Sequence, residues 1–303
     1  MLVVYVPLVC ALALAAGAPQ IARRASPRPG SATLVAVALA VALAADIALA
    51  VLAGARLLDV APLAKLLHWR AERPGSIPVP TAISIAAGVA LAFVAVAAWI
   101  DWRRSRDASR WLRSLRDHGS AGELIVVRSP ELLAHAVPGV GKAPDRILIS
   151  DSMLRALDGA ERRVLLEHER SHLRHHHDRY RALSRFAARI NPLLRPTIQV
   201  TDFLLERWAD EDAARAVGSR QLAAHALARA ALAGAPRPNQ PALAGFAAQR
   251  VTSRVTALMS GTPPKRDRLP LLLPATLAMI AALTAVLATH DLAHLFDLLR
   301  GDG

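Results

Sequence analysis

Four apolar blocks constrain this chain more than anything else in it. Met1–Ala18, Ala32–Ala55, Thr81–Ile100 and Leu269–Thr289 are rich in Ala, Leu and Val. Each is close to the about 17–25 residues that an α-helix needs to cross the hydrocarbon of a bilayer. In lipid the backbone must satisfy its own polar groups, so segments of this length and composition are expected to be helices. The first block lacks the basic start of a cleaved leader and reads as an uncleaved span. Gln20–Ser31 reads as a short polar loop with Arg23, Arg24 and Arg28. Asp46 interrupts the second block. It has either a functional role or a place facing the bundle interior, bonded to a hydroxyl such as Ser84. Residues 56–80 mix leucines with Lys65, His68 and Arg70, which suits an amphipathic helix on the bilayer surface or a plain connecting loop.

The net charge of +13 raises the question of nucleic acid. The basic residues flank the apolar blocks instead, and no helix-turn-helix or zinc-finger pattern is present, so no direct nucleic-acid binding is expected. Charge of this kind orients spans, because basic loops stay in the cytosol. The first loop, the arginines after the third block (Arg103, Arg104, Arg106, Arg110) and Lys265, Arg266 and Arg268 before the fourth agree with one another. They put both chain ends outside and the long polar segment in the cytosol of a multi-pass cell-membrane protein. Arg56, Lys65, Arg70 and Arg73 count against that orientation. Cys10 is the single cysteine, which rules out an internal disulfide and a cysteine zinc site.

The expected organisation is therefore residues 1–100 with three spans, residues 101–268 as a polar domain of ordinary size, and residues 269–303 as a fourth span and tail. Within the domain, Leu124–Val127 and Ile147–Ile149 read as short strands, with a turn-rich stretch around Ala136–Gly141 between them. The rest reads as helix, including Glu161 to about Arg179 and Thr197–Val217. The fold class is mainly α with a small β-element.

Inside the first of those helices stands His168-Glu169-Arg170-Ser171-His172, an H-E-x-x-H sequence. Residues four apart share a helix face, so the two imidazoles project side by side, as one Zn²⁺ requires. Glu169 is placed to take a proton from water at the open coordination position. A catalytic zinc needs a third protein ligand. The next long helix supplies Glu206 and Asp210 on one face: Glu206 as ligand, Asp210 as acceptor for the ring N–H of a ligand histidine. Ala209 between them permits close approach of the two helices.

H-E-x-x-H followed at this distance by E-x-x-A-D resembles the gluzincin membrane proteases, both the CAAX-prenyl-protease/HtpX group and the BlaR/MecR antirepressor group. Glu161-x-x-x-Val164-Leu165-Leu166 is similar to their helix entry, and Asn191-Pro192 to the antirepressor group's turn before the second helix. Ala136-x-Pro138-Gly139 and Ile147-x-Ile149-Ser150 resemble the strand region beside the active site, and Arg254-Val255-x-x-Leu258 the closing arginine helix. The resemblance implies a gluzincin-type domain inserted among four transmembrane helices. It makes His168, His172 and Glu206 ligands of one Zn²⁺, Glu169 the base and Asp210 a support. The substrate would be a cytosolic protein such as a winged-helix repressor, or, in the HtpX manner, damaged membrane protein. The expected chain differs from BlaR/MecR proteins in lacking the penicillin-binding sensor that follows their last span. His225 and Arg254 are candidates for stabilising the oxyanion. A non-enzymatic membrane-anchored basic scaffold or regulator is the alternative of another class.

Three other patterns compete. Asp178 occupies the third-ligand position of a metzincin, a class that needs Gly where this chain has His175. His175-His176-His177 reads as a solvated helix end or a loose accessory metal site. His290-Asp291-x-x-His294 mimics the motif beyond the fourth block and reads as interfacial.

Overall fold

The computed structural model describes residues 2–57, 80–116, 122–139, 143–234, 241–261 and 269–300. The segment at 58–79, read as surface helix or loop, lies outside them. Each apolar block becomes a helix longer than the block itself. A 3-10 turn, Leu2–Tyr5, leads into α1 (Val6–Arg24); α2 is Pro27–Leu57, α3 is Thr81–Arg116, and α10 is Leu269–Arg300. Val6–Arg24, Pro27–Gly54, Thr81–Ile100 and Pro270–His290 are long and apolar enough to cross a membrane. Ile85, Val89 and Phe93 on α3, and Met279, Leu283 and Val286 on α10, are exposed, as lipid-facing side chains are.

The loop expected over residues 20–31 shrinks to Ala25 and Ser26. Ala25 turns extended, and its N–H bonds the Ile21 carbonyl at 2.8 Å. Pro27 opens α2, where the absent N–H would have had no helical partner. A Cβ on Gly30 would come within 3.0 Å of Ala25 Cβ and 3.5 Å of Leu204, so glycine permits the close crossing there. Asp46 Oδ1 and Ser84 Oγ are each buried without a hydrogen-bond partner, so the bond expected between them is not made.

The polar segment opens with β1 (Leu124–Val127), β2 (Ala134–Val137) and β3 (Arg146–Ser150), in spatial order β1-β3-β2. β1 runs parallel to β3 and β2 antiparallel to it. β2 falls where the sequence reads as turn. Its four residues carry little pattern of their own, and pairing with β3 makes them a strand. The helices that follow are α4 (Asp151–Ala156), α5 (Gly159–Arg174), α6 (His177–Ile190), α7 (Arg195–Val217), α8 (Arg220–Ala233) and α9 (Pro241–Met259), with a 3-10 turn at Pro192–Leu194.

One apolar core joins the spans to the polar segment. Leu14 of α1, Leu34 and Val41 of α2, Ala187 of α6, Leu204 of α7 and Ala281 of α10 belong to a single buried cluster. Arg207 of α7 reaches back to the Ala22 carbonyl at the end of α1, at 3.1 Å. Helix α7, which carries Glu206, is thus packed on the ends of the first two spans.

Candidate metal centre

The site starts from the way α5 is held. Asp158 caps its N-terminus in a reciprocal capping box: the Asp158 side chain accepts from the Glu161 N–H, and Glu161 accepts from the Asp158 N–H, both at 2.9 Å. Val164 and Leu173 are buried, which fixes the helix's rotation and turns His168, Glu169 and His172 toward α7. Two further bonds tie α5 to α7. The Ser171 hydroxyl and the His175 Nε2–H both donate to Asp212, each at 2.8 Å. Ala209 and Ala213 are buried on α7 and leave room for the approach.

α5 ends at Arg174, not near Arg179 as the sequence suggests. His176 takes a left-handed conformation with φ of 51°, and α6 starts afresh at His177. No Gly or Pro announces this break, although His is among the residues that enter that region more readily than most. The break carries His177 inward. It is fully buried against Trp208 with ring centroids 4.8 Å apart, and its Nδ1 lies 2.6 Å from His172 Nδ1. Of the histidine run expected to be solvated, His175 and His177 are engaged in the interior.

His168, His172 and Glu206 bring three donor atoms together. The two Nε2 atoms are 3.1 Å apart, and the Glu206 carboxylate lies 3.4 Å from His168 Nε2 and 3.5 Å from His172 Nε2. Ligands about 2.0–2.1 Å from a tetrahedral zinc are about 3.3–3.4 Å from one another, so this triangle fits that ion. The remaining ring nitrogens support the fit. His168 Nδ1 faces Asp210 Oδ1 at 3.1 Å. His172 Nδ1 faces His177, which leaves both Nε2 lone pairs aimed at a common point. His177 then carries its proton on Nε2, which is buried without a partner.

The electrostatics follow from that enclosure. Burial opposes charge on His168, but Asp210 and Glu206 outweigh it and raise its pKa to about 10, and a cation held at the triangle would take the place of the Nε2 proton. Burial, helped by the charge on His168, lowers His172 to about 2, and burial together with Arg181 lowers His177 to about 3. Burial also opposes the Glu206 carboxylate, yet His168 and Arg254 hold it well below its ordinary value. Burial raises Glu169, partly offset by His168.

Arg254 grips Asp210 with two bonds, of 2.7 Å and 2.6 Å, and lies 3.1 Å from Glu206. Arg181 donates to Glu206 at 2.6 Å. His225, a candidate for the oxyanion, is largely exposed and lies 3.1 Å from Glu161, at the far end of α5. Asp178 sits in the first turn of α6 and is not part of the donor triangle. Sequence reasoning missed His177, Arg181 and Asp212, because nothing local signals which polar residues of separate helices will meet.

The triangle opens on a cleft of about 220 Å³. Glu169, His135 and Arg254 stand on its polar side; Leu132, Met153, Leu157, Leu165 and Leu227 form an apolar wall. The outer edge of β2 borders it. The bond from Ser150 N–H to Leu133 O makes residues 133, 135 and 137 the ones bonded to β3, so the backbone groups of Ala134 and Ala136 face away from the sheet. The Ala136 N–H lies on the side of Glu169 and favours its charged form. A larger hollow of about 1260 Å³ lies behind α7, among Arg28, Tyr180, Trp208 and Leu271, and no member of the triangle lines it.

Residues 103–195 match the family model described as Peptidase family M48. The match takes in His168, Glu169 and His172 and stops short of Glu206 and Asp210. It supports a membrane-associated zinc-dependent metallopeptidase of the M48 kind. Comparison with curated proteins and with solved structures gives no match.

Proposed function

We propose that the chain is an integral-membrane zinc endopeptidase that cleaves protein substrates on the cytosolic face of the cell membrane. The observation that carries this is the His168–His172–Glu206 triangle with Glu169 buried beside it at the mouth of a cleft. Zinc held by the three residues supplies the Lewis acidity that polarises a peptide carbonyl and acidifies a water. Asp210 and His177 hold the two imidazoles in the tautomer that presents Nε2. Glu169 accepts the proton of the attacking water and returns it to the leaving amine nitrogen. The Ala134 backbone offers an extended peptide one strand edge to pair with, and the apolar wall takes a hydrophobic side chain. Arg254, committed to Asp210 and Glu206, acts as a positioning residue here.

The substrate we favour is a cytosolic protein such as a winged-helix repressor, because the Asn191-Pro192 turn resembles the antirepressor group. The HtpX-like reading, with damaged membrane proteins as substrate, has the same site. Glu169→Gln separates these from a scaffold without activity. It should keep its zinc and lose about 10²–10⁴-fold in proteolysis. It should also retain uncleaved substrate through purification, whose identity by mass spectrometry distinguishes repressor from membrane protein. Cleavage at the wild-type rate by Glu169→Gln contradicts the mechanism.

A further inference from the structure

A groove of about 640 Å³ lies where the third span meets the α6–α7 turn, on a different face from the metal centre. One wall is the end of the apolar part of α3: Phe93, Val96 and Ile100. The other carries Arg185 and Arg189 of α6 and Arg195 at the start of α7. Among the described residues, no acidic side chain lines the groove. Among the described residues Arg185 and Arg195 have no ion-pair partner, and both are exposed. Near them Leu183, Phe186 and Leu193 are also exposed. Guanidinium groups interleaved with bare apolar side chains at the end of a span suit the boundary between headgroups and acyl chains. Arg103 stacked over Trp99, 4.1 Å from the ring centroid, marks the same level on α3.

We infer that this groove is a binding site for an anionic phospholipid of the bilayer. The phosphate sits between the guanidinium groups of Arg185 and Arg195, and an acyl chain runs down α3 from Ile100 toward Phe93, a depth of about 10 Å at 1.5 Å per residue. The charge decides the lipid class. A zwitterionic headgroup would bring its own cation up against these two exposed arginines. The groove shares α6 with His177 and Arg181 and α7 with Glu206. The site rests on the membrane spans and not on the peptidase reading, so its test needs no activity.

The full chain is purified in a non-ionic detergent and stripped of lipid. It is then titrated with dioleoyl phosphatidylglycerol or dioleoyl phosphatidylcholine and examined by native mass spectrometry. Saturable retention of the glycerol lipid over the choline lipid is expected. sn-Glycerol phosphate at equal concentration should bind far more weakly, because the acyl contacts are missing. With about 1 kcal/mol per arginine near a membrane surface, R185Q/R195Q should lower apparent affinity roughly 30-fold. An Arg23→Gln/Arg24→Gln pair, exposed at the end of α1, should leave it unchanged. Should R185Q/R195Q fail to fold, Arg195→Gln alone carries the test at about five-fold. Equal retention of both lipids, equal binding of glycerol phosphate, or undiminished affinity after the arginine substitutions overturns the site.

Discussion

His177 is the residue whose loss should weaken the metal without removing a ligand. Its Nδ1 is the partner that keeps His172's proton away from Nε2. His177→Ala frees the His172 ring to rotate and to change tautomer, and loss of such a partner costs about 10–100-fold in metal affinity. Competition against a chelating dye measures this, and an unchanged affinity would show the contact to be packing alone. The ligands themselves behave differently. Glu206→Ala leaves two imidazoles, so tight zinc binding and activity should vanish together; Asp178→Ala should keep the metal. Metal analysis of the two variants decides it, and the reverse result would restore the metzincin arrangement.

Helix α5 owes its register against α7 to a polar clamp as well as to packing. Asp212 accepts from Ser171 and His175 across the interface and from Arg215 on its own helix. Burial opposes its charge, but Ser171, Arg215 and His175 outweigh that and hold its carboxyl below the ordinary range. Its folded pKa therefore lies below its unfolded value of about 3.9. The stability it gives is complete above the unfolded value and is lost as the pH falls through the folded one. Asp212→Ala strands a buried hydroxyl and an imidazole N–H, and should destabilise the protein by about 1–3 kcal/mol at neutral pH. Thermal unfolding of wild type and variant at pH 7 and below pH 4 should show the gap between them narrowing in acid. A constant gap would assign the loss to packing.

On the scale of the whole molecule, metal centre and spans share one core, because α6 and α7 pack on α1 and α2. The arginines are the basis on which we propose the side of the bilayer that holds the polar end of that core. Arg23, Arg24 and Arg28 stand at the α1–α2 junction, and Arg103, Arg104, Arg106 and Arg110 follow the third span. With basic segments kept in the cytosol, a reporter fused after Arg116 should be active only in its cytosolic form. Activity of a periplasmic or extracellular reporter at that point refutes the orientation.

What the sequence determined was whatever a local pattern can carry. The four helices long enough to span follow from long apolar runs, one of them holding Asp46. His168, Glu169 and His172 are fixed relative to one another by helical spacing alone, and Glu206 and Asp210 share a face for the same reason. Tertiary structure decided the rest. β2 exists because β3 offers it a partner, and His176 breaks the helix because burying His177 against Trp208 and His172 compensates a left-handed residue. Arg254 is bonded to Asp210 at the edge of the cleft, and His225 lies with Glu161, because packing brings each side chain beside that carboxylate. Such pairings join residues tens of positions apart, and no spacing in the chain encodes them.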